Sequence, residues 1–130
     1  MSALGGSIWL AVAAGGALGA LARHGVSRTA LHLMGPNFPW GTLVANVAGS
    51  FAMGLIIAWL AAREPANPAL RAFLTVGMLG AFTTFSTFSL DVVTLYRDRT
   101  VMIAGAYLMA SVILSVGGLL AGLAIGRQVL

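Results

Sequence analysis

The residues best suited to chemistry lie between Gly77 and Ser89, which read Gly-Met-Leu-Gly-Ala-Phe-Thr-Thr-Phe-Ser-Thr-Phe-Ser. Five of the seven residues from Thr83 to Ser89 carry hydroxyls, and Phe82, Phe85 and Phe88 recur at every third position. Hydroxyls donate and accept hydrogen bonds, and an aromatic ring has a negative face and a positive edge. Ring edges beside hydroxyls and amides form a weak, dehydrating anion site, whereas ring faces suit a cation. Two further polar stripes run at i, i+4, i+8: Thr42, Asn46 and Ser50, and Tyr107, Ser111 and Ser115. That spacing puts each trio on one helix face. For any single serine, the plainer reading is glue between helices, worth about 0.6 kcal/mol in a bilayer. Asn46 resists that reading, because an amide left unpaired at membrane depth is costly.

The elements that must carry these groups are membrane helices. Of 130 residues, 59% are hydrophobic and only 8% are charged, with a mean hydropathy of +0.97. Soluble domains carry roughly 25% charged residues. Four apolar segments follow one another as a single transmembrane domain, residues 1–130, with helices expected at about 7–32, 40–62, 69–96 and 100–126. Each meets the ~20 residues that a span needs. Gly35, Pro36, Asn37 and Pro39 break the chain between the first two, and Trp40 and Trp59 read as interface anchors of the second. The third segment contains the hydroxyl-rich motif, whose glycines and hydroxyls predict a helix broken near its middle. Gly15 with Gly19, and Gly118 with Gly122 and Gly126, have the spacing of close helix packing. No basic residue precedes Arg23, so a cleaved leader is not expected. The absence of cysteine excludes a thiolate metal site.

The net charge of +4 comes from seven arginines and no lysine. They form no basic stripe interleaved with aromatics, so a nucleic-acid partner is not expected. Four spans put Arg63, Arg71 and Arg127 on one side and Arg23, Arg28, Arg97 and Arg99 on the other. The positive-inside rule has almost no bias to act on. The expectation is dual topology, with an antiparallel homodimer as its product. No acidic residue lies well inside any helix, so a proton-coupled cation exporter lacks its usual relay. Arginines near the helix ends concentrate anions instead.

Three motifs resemble the Fluc (CrcB) fluoride channels: Gly-Ala-Leu-Ala-Arg at 19–23, Trp-Gly-Thr-Leu-Val-Ala-Asn-Val-Ala-Gly-Ser-Phe at 40–51, and Gly-Ala-Phe-Thr-Thr-Phe-Ser-Thr-Phe-Ser at 80–89. The resemblance extends over the whole chain. It implies an all-α, dual-topology antiparallel homodimer in the bacterial plasma membrane that lets fluoride leave the cytoplasm passively through two pores. It also implies roles for individual residues. Phe85 and Phe88 would be the pore phenylalanines and Asn46 the pore amide. Ser86, Thr87 and Ser89 would form a hydroxyl track continued by Thr42, Tyr107, Ser111 and Ser115, with Arg23 at the vestibule. The resemblance also implies that the break is an unwound crossing over residues 80–83, whose Gly80 and Thr83 backbone carbonyls would hold a structural sodium ion at the dimer axis. The sequence departs from the family pattern at His24, where an aromatic is common, and at Asp91, where glutamate is.

Two other classes compete. A small dual-topology multidrug exporter would want a glutamate in the first helix, and Met1 to Ala22 has no acidic residue. A membrane scaffold would account for the glycine ridges but not for the Phe-hydroxyl motif. An enzyme is not expected, since His24, His32 and Asp91 have no spacing that reads as a metal or nucleophile site.

Overall fold

A computed structural model describes residues 3–130. Helix α1 (Ala3–Met34) and helix α2 (Trp40–Ala61) form the first two spans. The third span is composite. It runs through α3 (Pro68–Arg71), a π-helical segment (Ala72–Leu79), α4 (Gly80–Phe82) and, after an interruption, α5 (Ser86–Asp98). Helix α6 (Val101–Val129) is the fourth. All four spans are long and apolar enough to cross a bilayer, and their outer faces carry exposed Trp9, Leu10, Leu21, Val76, Val93, Met102 and Ile113.

Local chemistry explains where the helices start and stop. Gly35, at φ +79°, ends α1, with its N–H on the Leu31 carbonyl at 2.9 Å. Asn67 caps α3 by accepting from the Ala69 and Leu70 amides at 2.8 and 3.1 Å, with Pro68 in the first turn. The Thr100 hydroxyl accepts from the Ile103 amide at 3.1 Å and caps α6. Helix α1 starts four residues before the expected limit and ends two residues after it, where Gly35 stops it.

The third span differs from the sequence expectation in two respects. Residues 80–82 are helical, and the interruption falls at 83–85, where Thr83 turns extended at ψ 159°. Glycine at residue 80 permits unwinding, but the bonds that produce it come from Thr84, described below. The π-helical turn was not legible in the sequence. It lies where α1 presses backbone against backbone: a Cβ on Gly19 would land on the Met78 carbonyl, and one on Gly77 would sit 2.8 Å from the Val12 carbonyl.

Helices α2 and α6 approach in the same manner. A Cβ on Gly122 would land on the Phe51 carbonyl, and one on Gly118 would lie 3.3 Å from the Val47 carbonyl. A buried cluster fills one end of the bundle: Leu43, Phe88, Leu95, Ala104 and Tyr107, with Phe38 packed against it. Trp59, at the far end of α2, lies beneath the Arg63 guanidinium at 4.4 Å.

Gly122→Ala is expected to lower the thermal midpoint of the detergent-solubilised protein, at a cost of about 1–3 kcal/mol for the overpacked crossing. Gly117, which faces open space, should accept alanine with a change within about 0.5 kcal/mol.

Candidate functional site

The interruption in the third span is fixed by side chains from two other helices. Asn46 of α2 grips the backbone of one residue through both peptide units that flank it: its Nδ2 donates to the Thr84 carbonyl at 3.0 Å, and its Oδ1 accepts from the Thr84 amide at 2.8 Å. Arg23 of α1 donates from Nε to the Ala81 carbonyl at 3.0 Å. In an unbroken helix the Thr84 amide would serve the Gly80 carbonyl; here it serves Asn46. The Thr87 amide, which would serve the Thr83 carbonyl, is donated to Thr84 Oγ1 at 3.2 Å in the first turn of α5. The carbonyls of Gly80 and Thr83 are thereby released from their α-helical partners, and Gly80 is exposed on the chain's surface.

Beside the interruption lies an open groove of about 450 Å³ between α2, α4, α5 and α6. Asn46, Gly80, Thr83, Phe85, Phe88, Ser111 and Ser115 line it, together with Ser50 and Thr84. The two phenylalanines are adjacent, with ring centroids 5.5 Å apart, yet differently placed: Phe88 is 9% exposed and Phe85 is 78% exposed. Phe88 also stacks at 5.4 Å on Tyr107, which is fully buried. The Ser111 hydroxyl is buried with no hydrogen-bond partner among the described residues, an acceptor or donor left for something else.

A second cavity, of about 380 Å³, opens at the end of the bundle near the α1–α2 turn. Thr42, Thr87 and Asp91 line it, with Ser27 and Phe38. The Tyr107 hydroxyl donates to Asp91 Oδ2 at 2.9 Å, so Phe88, Tyr107 and Asp91 form a contiguous connection from the groove to this cavity. Ser86 and Ser89 line neither space, and the Ser89 hydroxyl turns back to its own helix, onto the Phe85 carbonyl at 2.9 Å. Arg23 also lies outside both spaces, half-buried against the interruption.

Sequence patterns alone pass over Thr84 and give Asp91 no role. A signal for Thr84 is present: a threonine three residues before Thr87 has the spacing at which a hydroxyl accepts a free amide of a helix's first turn. Asp91 has no such signal, because its bond to Tyr107 joins two helices.

The family model "CrcB-like protein, Camphor Resistance (CrcB)" matches residues 10–123. The chain belongs to the CrcB family. A relative from Rhodospirillum centenum named "Fluoride-specific ion channel FluC" is 56% identical over 120 residues, covering 91% of this chain and 94% of the relative. Relatives from Nitrobacter hamburgensis ("Fluoride-specific ion channel FluC 1") and Agrobacterium fabrum ("Fluoride-specific ion channel FluC") are 52% and 46% identical, covering 91% and 90% of this chain and 94% of each relative. With four apolar spans in a family of bacterial membrane proteins, this CrcB chain is a multi-pass protein of the plasma membrane.

Asn46→Leu removes both bonds to Thr84 and leaves two backbone groups unpaired, at about 1–3 kcal/mol each. The expected outcome is faster hydrogen exchange at the Thr84 amide with α6 unchanged; unaltered exchange at Thr84 would show that the clamp does not hold the interruption.

Proposed function

We propose that this chain is one subunit of a fluoride channel that exports the ion passively and so lowers fluoride toxicity. It is a transport protein, not an enzyme. The single observation that carries the reading is the groove at the interruption, where hydroxyls, an amide and two phenylalanines converge beside an exposed Phe85. The relatives' names supply the ion.

The groove is open along one side, and a second copy would close it. The near balance of arginines, three against four, supports an inverted copy and hence an antiparallel homodimer of dual topology. In that assembly Phe85 of each subunit projects toward its partner, while Phe88 stays anchored on Tyr107. Fluoride is strongly hydrated, so the path must replace water by several weak contacts and still release the ion. Phe85 and Phe88 offer ring edges, and Asn46 keeps a spare N–H after serving Thr84. Ser111 and Ser115 offer hydroxyls within the groove, and Thr42 and Thr87 continue them toward the end cavity. In this reading Ser86 and Ser89 are secondary members of the track, and Arg23 acts on the vestibule from behind the interruption. A negative cell interior drives the anion out, by about 2.3 kcal/mol per charge per 100 mV.

The Gly80 and Thr83 carbonyls fit a hard monovalent cation. They are neutral oxygens, released from their helical amides, on the face where the partner would meet. A sodium ion there would supply the positive charge that the released amides no longer give. Sodium would be structural and not transported.

Reconstituted liposomes loaded with fluoride or chloride test the reading. Fluoride efflux with negligible chloride efflux is expected; equal rates, or no flux of either, would overturn it. Phe88→Ile should slow fluoride by about tenfold, equivalent to ~1.4 kcal/mol of barrier. Reporters fused to the C-terminus should signal on both sides of the membrane. Replacing sodium by a bulky organic cation should weaken the dimer or the flux.

A further inference from the structure

Three side chains of α1 remain outside everything described above. His24, Arg28 and His32 stand four residues apart, all three are exposed, and none makes a hydrogen bond or ion pair among the described residues. Most of the other arginines are engaged: Arg23 with Ala81, Arg63 with Trp59, Arg71 with Glu64 and Arg97 with Asp98. The chain has two histidines, and they flank Arg28 on one face.

Two observations place this stripe. Gly15 and Gly19 press on the π-helical segment and Arg23 reaches Ala81, which defines the inward face of α1. At 100° per residue, Arg28 is nine residues past Gly19 and therefore points about 180° away from it. No residue of α1 lines the central groove that a second copy would close. Its depth follows from Gly41, on which a Cβ would sit 2.8 Å from the Ser27 Cα. Ser27 is therefore level with the start of α2, next to the interface anchor Trp40. From His24 to His32 the helix rises about 12 Å, enough to cross the headgroup layer, which is roughly 5–8 Å thick on each side.

We propose that His24, Arg28 and His32 form a binding stripe for the headgroup phosphate of an anionic phospholipid. Arg28 presents a fixed fork of N–H donors suited to a phosphodiester. Each histidine ring has an N–H donor in either tautomer, one above and one below the guanidinium. An apolar groove of about 410 Å³, lined by Gly25, Val26, Thr29 and Leu33 of α1 and by Val44, runs along the neighbouring face. It gives the acyl chain a path beside the headgroup. Ser27, Ala30 and Leu31 of the same turns line the end cavity, so a phosphate bound at Arg28 lowers the positive potential at that mouth.

The test uses the purified full-length protein in neutral detergent and reads binding, not flux, so it stands apart from the fluoride reading. Phosphatidylglycerol, phosphatidylcholine and inorganic phosphate are each titrated while the thermal midpoint and the bound lipid, by native mass spectrometry, are followed. Phosphatidylglycerol is expected to raise the midpoint more than phosphatidylcholine does. Arg28→Gln should weaken phosphatidylglycerol about fivefold, the effect of one interfacial charge, and His24→Gln with His32→Gln should also weaken it. Arg99→Gln, an exposed arginine on the same side of the membrane, should leave the preference intact. Equal response to the two lipids, an unchanged preference in Arg28→Gln, or an equal loss in Arg99→Gln would overturn the proposal. So would full protection by inorganic phosphate, which would mark a free-anion site. Loss of self-association in Arg28→Gln would assign the stripe to a second copy and would overturn the proposal as well.

Discussion

The whole arrangement depends on one backbone amide that leaves its helix. Thr84 N–H, instead of closing a helical turn on Gly80, goes to Asn46. A bilayer penalises a departure of that kind unless displaced groups find other partners. The Thr84 carbonyl finds the Asn46 Nδ2, the Ala81 carbonyl finds Arg23, and the Thr87 amide finds the Thr84 hydroxyl. Helices α1 and α2 are thus tied to the middle of the third span by charge-bearing or amide side chains, and the interruption is a built feature with its own supports.

Those ties also give the polar stripes their meaning. Thr42, Asn46 and Ser50 share a face of α2, yet they do different work. Thr42 lines the end cavity, Asn46 holds backbone, and Ser50 lines the central groove. Several of the hydroxyls are absorbed by the structure itself: Thr83 bonds to the Leu79 carbonyl at 2.9 Å and Ser89 to that of Phe85. Ser111 stands apart, because it is buried and unpaired among the described residues. Where a hydroxyl has no internal partner, a passing ion can use it.

Much of this architecture was legible in the sequence, because bilayer physics is strict about length, charge and glycine. Four uncharged segments of sufficient length leave little choice of fold, and Gly35, Pro36 and Asn67 punctuate them by ordinary rules. A broken third helix followed from hydroxyls and glycines where leucines belong. The position of the break did not follow. Gly80 drew attention because glycine loosens a helix, but residues 80–82 stay helical and Thr84 opens the turn. The deciding interaction comes from residue 46, and a linear reading does not contain it. The same limit applies to Arg23, for which the family resemblance implies a vestibule role and whose bond to Ala81 no sequence pattern announces, and to the Asp91–Tyr107 bond.

The glycine crossings have a mechanical consequence. Where α1 meets the π-helical segment, and α2 meets α6, backbone rests on backbone with no room for a methyl group. Side chains at an interface can change rotamer and let one helix slide past another. Bare peptide surfaces have no such freedom, so any sliding would separate them and open voids. Rocking carriers rely on that slippage between bundles. A bundle seamed in this way is a rigid fixture, and ions must pass it by changing their own hydration and not its shape.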